Sequence, residues 1–157
     1  MTGLPGPSRI RGLLPHGHPM MLVDRVRELR PGTEIVAEKA VTASDACFAG
    51  LDAGAPDSAW VLPNSLVVES FGQAAVLLWL LDTYSTTPAE GTVPMLVVAR
   101  RCRMLGRARP GDVLVHTVRT IHRSSVSATV SGRTAIGGRT IAEFGELMAV
   151  YADPGRP

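Results

Sequence analysis

Residues 64–84 read NSLVVESFGQAAVLLWLLDTY, and the fold turns on how that stretch is taken. It is apolar nearly all the way round, the pattern of a helix buried on most of its circumference rather than lying on a surface. Pro63, with Asn64 and Ser65 as a polar cap, marks its start. One carboxylate, Glu69, rides inside this apolar cylinder among Val67, Val68, Phe71 and Ala74. Burying it costs several kcal/mol unless it is paired or hydrogen-bonded, and the same desolvation pushes its pKa toward a range useful for proton transfer. A position in the second turn, near a helix N-terminus, adds backbone N–H groups that can polarise a bound carbonyl. The plain alternative is that Glu69 points through a gap to solvent or pairs with an arginine.

Outward from the helix the pattern changes period. Upstream, a short helical turn at 8–14 leads through PHGHP into MMLVDRVREL, read as a strand that ends at a Pro-Gly turn, and TEIVAEKAVT alternates as the returning strand. A loop over 44–62, scattered with Gly, Pro and Asp, precedes the helix. Downstream of STTPAEG the runs VPMLVVARRCRML, DVLVHTVRTIH, SVSATVSGRTAI and RTIAEFGELMAVYA read as strands with short antiparallel connections. Two strands, a buried helix and about four more strands make an α+β domain whose sheet must wrap the helix. The 157 residues suit one domain with a genuine core, placed at about 10–151 within 1–157, with the Gly/Pro/Ala-rich ends read as frayed.

Composition excludes several classes. Hydrophobic residues at 45% against charged residues at 19% argue against wholesale disorder, and a net charge of +2 argues against a protein that coats nucleic acid. The start MTGLPGPSRIRGLLP has no apolar h-region, and no apolar run is long enough for a bilayer, so the expectation is a soluble, cytoplasmic protein with no membrane partner. Cys47 and Cys102 stand far apart outside any CxxC and are taken as small buried or semi-buried residues; no disulfide framework or metal site is expected.

LLPHGHPMMLVDRV, then the Phe48-x-Gly50 turn, then LPNSLVVESFGQAA, then a strand and RPGD at 109–112, in that order over about residues 10–150, resemble the 3-hydroxyacyl-acyl-carrier-protein dehydratases of the FabZ type. The resemblance implies a hotdog fold, a six-stranded antiparallel sheet around a central helix, with the helices paired in a dimer. It implies no cofactor, because the substrate is a thioester carried on the phosphopantetheine of a carrier protein. It also implies an active site shared across the dimer. A histidine in a Gly-His-Phe-Pro stretch of one subunit takes the α-proton, a helix glutamate of the other handles the departing 3-hydroxyl, and an amide at the helix start polarises the carbonyl. By position Glu69 matches the glutamate, Gln73 the glutamine after it, and Pro63-Asn64 the Pro-Gly at the helix start. Asn64, Ser65, Gln73, Gly50, Leu51 and Trp60 are thereby expected to bind substrate.

The histidine does not carry over. Gly50 falls on the glycine of that stretch, Leu51 stands where the base should be, and no histidine occurs between His18 and His116. Removing a general base costs about 10²- to 10⁴-fold, so a homodimer would hold carboxylates without a base. Three resolutions follow. A homologous partner that retains the histidine completes one composite site with this chain's Glu69; or the protein holds acyl-carrier chains without chemistry; or a homodimer works with another group. In the last case Asp52 or Asp57 of the loop is the base, or Glu69 activates water as in hotdog thioesterases.

The remaining motifs are weaker. Arg100, Arg101, Arg103, Arg107 and Arg109 form a basic rim fit to steer an acidic carrier protein, against the reading of a merely solvated face. Their lack of interleaved aromatics disfavours nucleic acid. His16 and His18 lack a third ligand and are read as structural, with the resemblance placing His16 at a non-catalytic loop histidine. His116 and His122 fall on one strand face by period-two counting and are expected to be exposed or at an interface. Trp60 either closes over the acyl chain or pins the loop, and Trp79 is read as core or dimer packing.

Overall fold

The alternating runs do pair as strands around the apolar helix. The computed structural model describes residues 3–82 and 91–153; the termini expected to fray, and the last residues expected to be helical, 83 and 84, lie outside them in part or whole. The elements are α1 (Pro7–Leu13), β1 (Arg25–Arg30), β2 (Glu34–Ala40), short 3₁₀ turns at Ala46–Phe48 and Asp57–Ala59, α2 (Asn64–Leu80), β3 (Val93–Met104), β4 (Val113–Arg123), β5 (Ser127–Ile136) and β6 (Arg139–Ala152). The six strands form one antiparallel sheet in the order β1-β2-β4-β5-β6-β3. Helix α2 packs on β2, β4, β5 and β3, burying Val67, Phe71, Ala74 and Leu77 in one core with Ile35, Leu114, Val118, Phe144 and Leu147. This is the hotdog arrangement that the resemblance implies. No helix among the described residues is long and apolar enough to cross a membrane.

Where the elements differ from the expectation, the cause is a competing hydrogen bond. The run Met20–Asp24 is not strand, because helix side chains take its backbone groups: Gln73 Oε1 accepts from the Leu22 amide at 2.8 Å, and the Ser70 hydroxyl donates to the Leu22 carbonyl at 3.0 Å. The polar cap is also absent. Pro63 is the N-cap and no side chain bonds to the first turn. The first amides bonded within the helix are those of Leu66 and Val67, both to the Pro63 carbonyl, so those of Asn64 and Ser65 precede the ladder.

His116 is fully buried on the inner face of β4, between Leu114 and Val118, not exposed as expected. His122 is exposed. The register of β4 against β5 shifts between Thr120 and His122, and a bulge of this kind breaks the count of two that would have put both rings on one face. Cys102, expected to be at least semi-buried, is exposed on β3.

A stripe of α2 comprising Leu66, Val68, Glu69, Gly72, Ala75 and Leu80 is only half-buried. β3 is an edge strand carrying exposed Met95, Leu96 and Val97. A long apolar edge is a template for pairing with another chain.

Gly132 sits beneath the helix at the irregularity of β5, where a Cβ would lie 2.0 Å from the Thr117 carbonyl and 3.0 Å from the Phe71 ring. Backbone on one side and a core aromatic on the other leave no room to yield. Gly132→Ala is expected to destabilise the fold by about 3 kcal/mol, read as a fall in the urea midpoint at unchanged m-value; an unchanged midpoint would show that the strand and helix separate more easily than this contact implies.

Candidate functional site

Glu69 lies on the second turn of α2 with its side chain 36% exposed, so the sequence expectation of full burial is corrected. Its neighbours are set by one carboxamide. Gln73, one turn on and itself buried, donates from Nε2 to Glu69 Oε1 at 2.9 Å and to the Met20 carbonyl at 2.7 Å, while its Oε1 accepts from the Leu22 amide. These bonds hold the segment after PHGHP against the helix, and that segment brings His16 over Glu69. His16 Nε2 lies 3.1 Å from Glu69 Oε1. An imidazole of this chain therefore does reach the carboxylate, which the expectation of a structural His16 apart from the site did not include. No spacing signal joins residues 16 and 69; the contact arises because Gln73 and Ser70 capture the backbone between them.

The contact does not by itself supply a free base. Nε2 is engaged by Glu69, and Nδ1 is buried with no hydrogen-bond partner among the described residues. An orphaned lone pair costs less than an orphaned N–H, so the hydrogen bonds assign the ring proton to Nε2, donated to the carboxylate. In that arrangement the imidazole orients Glu69.

Glu69, His16 and Gln73 line one end of an apolar cavity of about 110 Å³. Val68, Gly72, Ala75, Val76 and Trp79 of α2 form one wall, and Pro94, Leu96, Ala128, Val130, Leu147 and Ala149 of β3, β5 and β6 form the other. The cavity exists because facing residues are small: Gly72 and Ala75 on the helix, and Ala128 paired with Ala149 across β5 and β6. An apolar cavity with few convergent polar groups at one end suits an acyl chain with its reactive carbons beside Glu69.

Of the other expected substrate residues, none lines this cavity within one chain. Asn64 lines a separate open groove at the helix start with Val61, Leu62, Pro63 and the segment Met104–Arg107. Ser65 is exposed beside it. Gly50 is exposed, and Leu51 is half-buried against the core. Trp60 packs on the Phe48 ring at 5.4 Å, so it pins the loop and does not cover this cavity. Asp52 and Asp57 are exposed turn residues: the Asp52 carbonyl accepts from Ala55, and the Asp57 carbonyl accepts from Trp60 and from Arg109 Nη1.

The arginines divide. Arg100 and Arg101 lie near Glu146 at 3.9 and 3.5 Å, and Arg103 pairs with Glu143 at 2.7 Å. All three are well exposed, and pairs of this kind contribute little to stability, though the glutamates dilute the positive field. Arg107 lines the helix-start groove, and Arg109 ties the long loop through the Asp57 carbonyl. Gly145 lets Arg101, at φ 52, approach it; a Cβ there would meet the Arg101 side chain at 2.7 Å.

Beneath Glu69 runs a second polar chain that the sequence did not signal. Ser70 Oγ lies 2.8 Å from His116 Nε2, and His116 Nδ1 lies 2.8 Å from Thr134 Oγ1, all three residues fully buried. Because the Ser70 hydroxyl donates to Leu22, His116 donates to Ser70 from Nε2 and accepts from Thr134 at Nδ1. This chain joins α2, β4 and β5 out of reach of substrate, so its role is structural. Burial, assisted by the positive Lys39, lowers the His116 pKa from 6.5 to about 3. The unfolded chain therefore takes up a proton below pH 6.5 that the folded one refuses. The stability this ring contributes is whole above pH 6.5 and is lost as pH falls toward 3, at up to about 1.4 kcal/mol per pH unit. Urea unfolding from pH 7 to pH 4 is expected to show this slope, and His116→Asn to flatten it; an equal slope in both proteins would assign the acid sensitivity to other groups.

A FabA-like domain model matches residues 14–145. The chain is 31% identical over 144 residues to the 3-hydroxyacyl-[acyl-carrier-protein] dehydratase FabZ of Anaeromyxobacter sp., covering 92% of this chain and 88% of that one. It is 34% identical over 146 residues to the protein of the same name from Thiobacillus denitrificans, covering 93% and 97%. Among solved structures, the dehydratase heterocomplex ApeI:P from Xenorhabdus doucetiae matches with a TM-score of 0.72 at 17% identity over 92% of this chain and 91% of the other. A hypothetical thioesterase protein with coenzyme A from Streptococcus pneumoniae matches at 0.57 and 11% identity, covering 82% and 85%. At these identities the two structures speak to the fold.

Proposed function

The chain belongs to the FabA-like family, and from that membership and the setting of Glu69 we propose that it is a subunit of a 3-hydroxyacyl-acyl-carrier-protein dehydratase, converting 3-hydroxyacyl thioesters to 2-enoyl thioesters. The observation that carries this reading is the Glu69 carboxylate, held by Gln73 and His16 at one end of an apolar cavity. With the acyl chain in that cavity, Glu69, once it carries a proton, gives it to the 3-hydroxyl as the C3–O bond breaks, while a base takes the proton from C2 and the C2–H electrons form the C2=C3 bond. Water leaves, and the proton on the base returns to Glu69 before the next turnover. His16 holds the carboxylate, so that proton transfer starts from one geometry.

The base is the part that this chain's cavity lacks. His16 has one ring nitrogen committed to Glu69 and the other closed off, and position 51 is leucine. We assign the base to a histidine of a homologous partner subunit, whose loop would enter beside the half-buried stripe of α2. That the similar structure from Xenorhabdus is named as a dehydratase heterocomplex supports a pairing of unlike chains. The groove at the helix start, lined by Asn64 and Arg107, suits the pantetheine arm. The exposed arginines of β3 then face an acidic carrier protein.

A second reading takes the 3.1 Å contact as a self-sufficient pair, with His16 swinging from Glu69 to serve as base in a homodimer. Assay of 3-hydroxyacyl-carrier dehydration by the pure chain, and by the chain with whatever subunit co-purifies from its host, separates the two. Turnover by the mixture alone is the expected result; equal turnover by the pure chain would establish the second reading. In the active assembly Glu69→Gln is expected to lower kcat by about 10²- to 10⁴-fold with the assembly intact by size-exclusion chromatography, and retained activity would remove Glu69 from the chemistry. His16→Phe is expected to lower kcat less, by about tenfold, with KM nearly unchanged, and His16→Gln, which keeps an N–H donor, to recover most of it, as befits a residue that acts through Glu69.

A further inference from the structure

Resting on the dehydratase reading, we propose that Trp79 closes the far end of the acyl cavity and sets the longest acyl chain the protein accepts. The cavity follows one face of α2 from Glu69 through Gly72 and Val76 to Trp79. Ten residues of helix carry it about 15 Å along the axis. Its floor is laid in rows across the sheet: Val130 beside Leu147, then Ala128 beside Ala149 and Leu96. The next row is Tyr151 beside Pro94. There the small residues end. Trp79 is buried and packs its indole on the Tyr151 ring at a centroid distance of 4.3 Å and an angle of 32°, so an aromatic pair bridges helix and sheet at the level where the alanines give out.

The wall is built differently from the rest of the lining. Along the cavity, Gly72, Ala75, Ala128 and Ala149 each leave space, whereas Trp79 fills it with the largest side chain available. Aromatic stacking of this kind fixes a side chain more firmly than aliphatic packing does, which makes the pair a stop and not a yielding surface. With C3 of the substrate beside Glu69, an extended chain advancing about 1.3 Å per carbon, from C–C bonds of ~1.5 Å, meets the indole roughly ten carbons beyond C3, at a total length of about thirteen carbons.

The test measures affinity, so it does not depend on catalysis. Saturated acyl-pantetheine thioesters from butanoyl to octadecanoyl are titrated calorimetrically into the protein, together with its partner subunit where one co-purifies. In the unaltered protein the affinity is expected to rise by about fourfold per methylene up to dodecanoyl and to fall for hexadecanoyl and octadecanoyl. Trp79→Phe and Trp79→Ala are expected to move the maximum to longer chains, the alanine further than the phenylalanine. Ala149→Leu, with Trp79 intact, is expected to move it to shorter ones. The alanine variant removes a large core side chain, and the Phe and Ala149→Leu variants carry the test if it does not fold. Binding with a maximum that stays in place in the folded variants would overturn the role of Trp79 and leave the dehydratase reading standing. Absence of binding at every chain length in the unaltered protein would overturn both.

Discussion

The side chain of Gln73 commits every polar atom it has. Its oxygen takes the Leu22 amide, and its nitrogen gives one proton to the Met20 carbonyl and the other to the Glu69 carboxylate. A buried carboxamide left partly unsatisfied would cost free energy comparable to a lost hydrogen bond or more, so this side chain imposes its geometry on its surroundings. It takes the segment before β1 away from sheet pairing, draws it onto α2, and so places His16 against Glu69. The candidate site is a consequence of that one satisfied amide and of the Ser70 hydroxyl that grips the Leu22 carbonyl a turn earlier.

The same helix has two faces with opposed requirements. Over Gly132 and Phe144 it must be close-packed, which is why Phe71 stacks on Phe144 at 4.0 Å and why Gly132 has no side chain. Toward Ala128 and Ala149 it must leave space, which is why Gly72 and Ala75 stand there beside the carboxylate. Good packing and an open cavity are incompatible at one position, and the helix separates them by rotation about its axis. The exposed apolar edge of β3 and the half-buried stripe are apolar surface that a second chain would cover. A site finished by a second subunit fits that arrangement, and a pairing of unlike chains lets one member lose a residue that the other keeps.

Much of this was legible in the residues. The apolar run at 64–80, the alternating strands and their turn signals specify the element order, because local periodicity and turn chemistry act over a few residues. The motifs around PHGHP, the Phe-x-Gly turn, Glu69 and RPGD carried the family and, through it, the hotdog sheet. Glu69 was legible as an anomaly of polarity, and Gln73 only through the resemblance.

What the order of residues determined by itself was therefore which segments become helix or strand, and that one carboxylate sits on the central helix. Only the tertiary structure decided that His16 meets Glu69, that His116 is locked beneath it, that Trp60 faces the loop while Trp79 lines the cavity, and that Asn64 looks into a different groove. Those facts depend on contacts between residues dozens of positions apart, such as Gln73 with Leu22 and His116 with Ser70, and on a strand irregularity near Thr120. A periodic pattern records which face a residue prefers, but it carries no register between elements, and register is what brings side chains together.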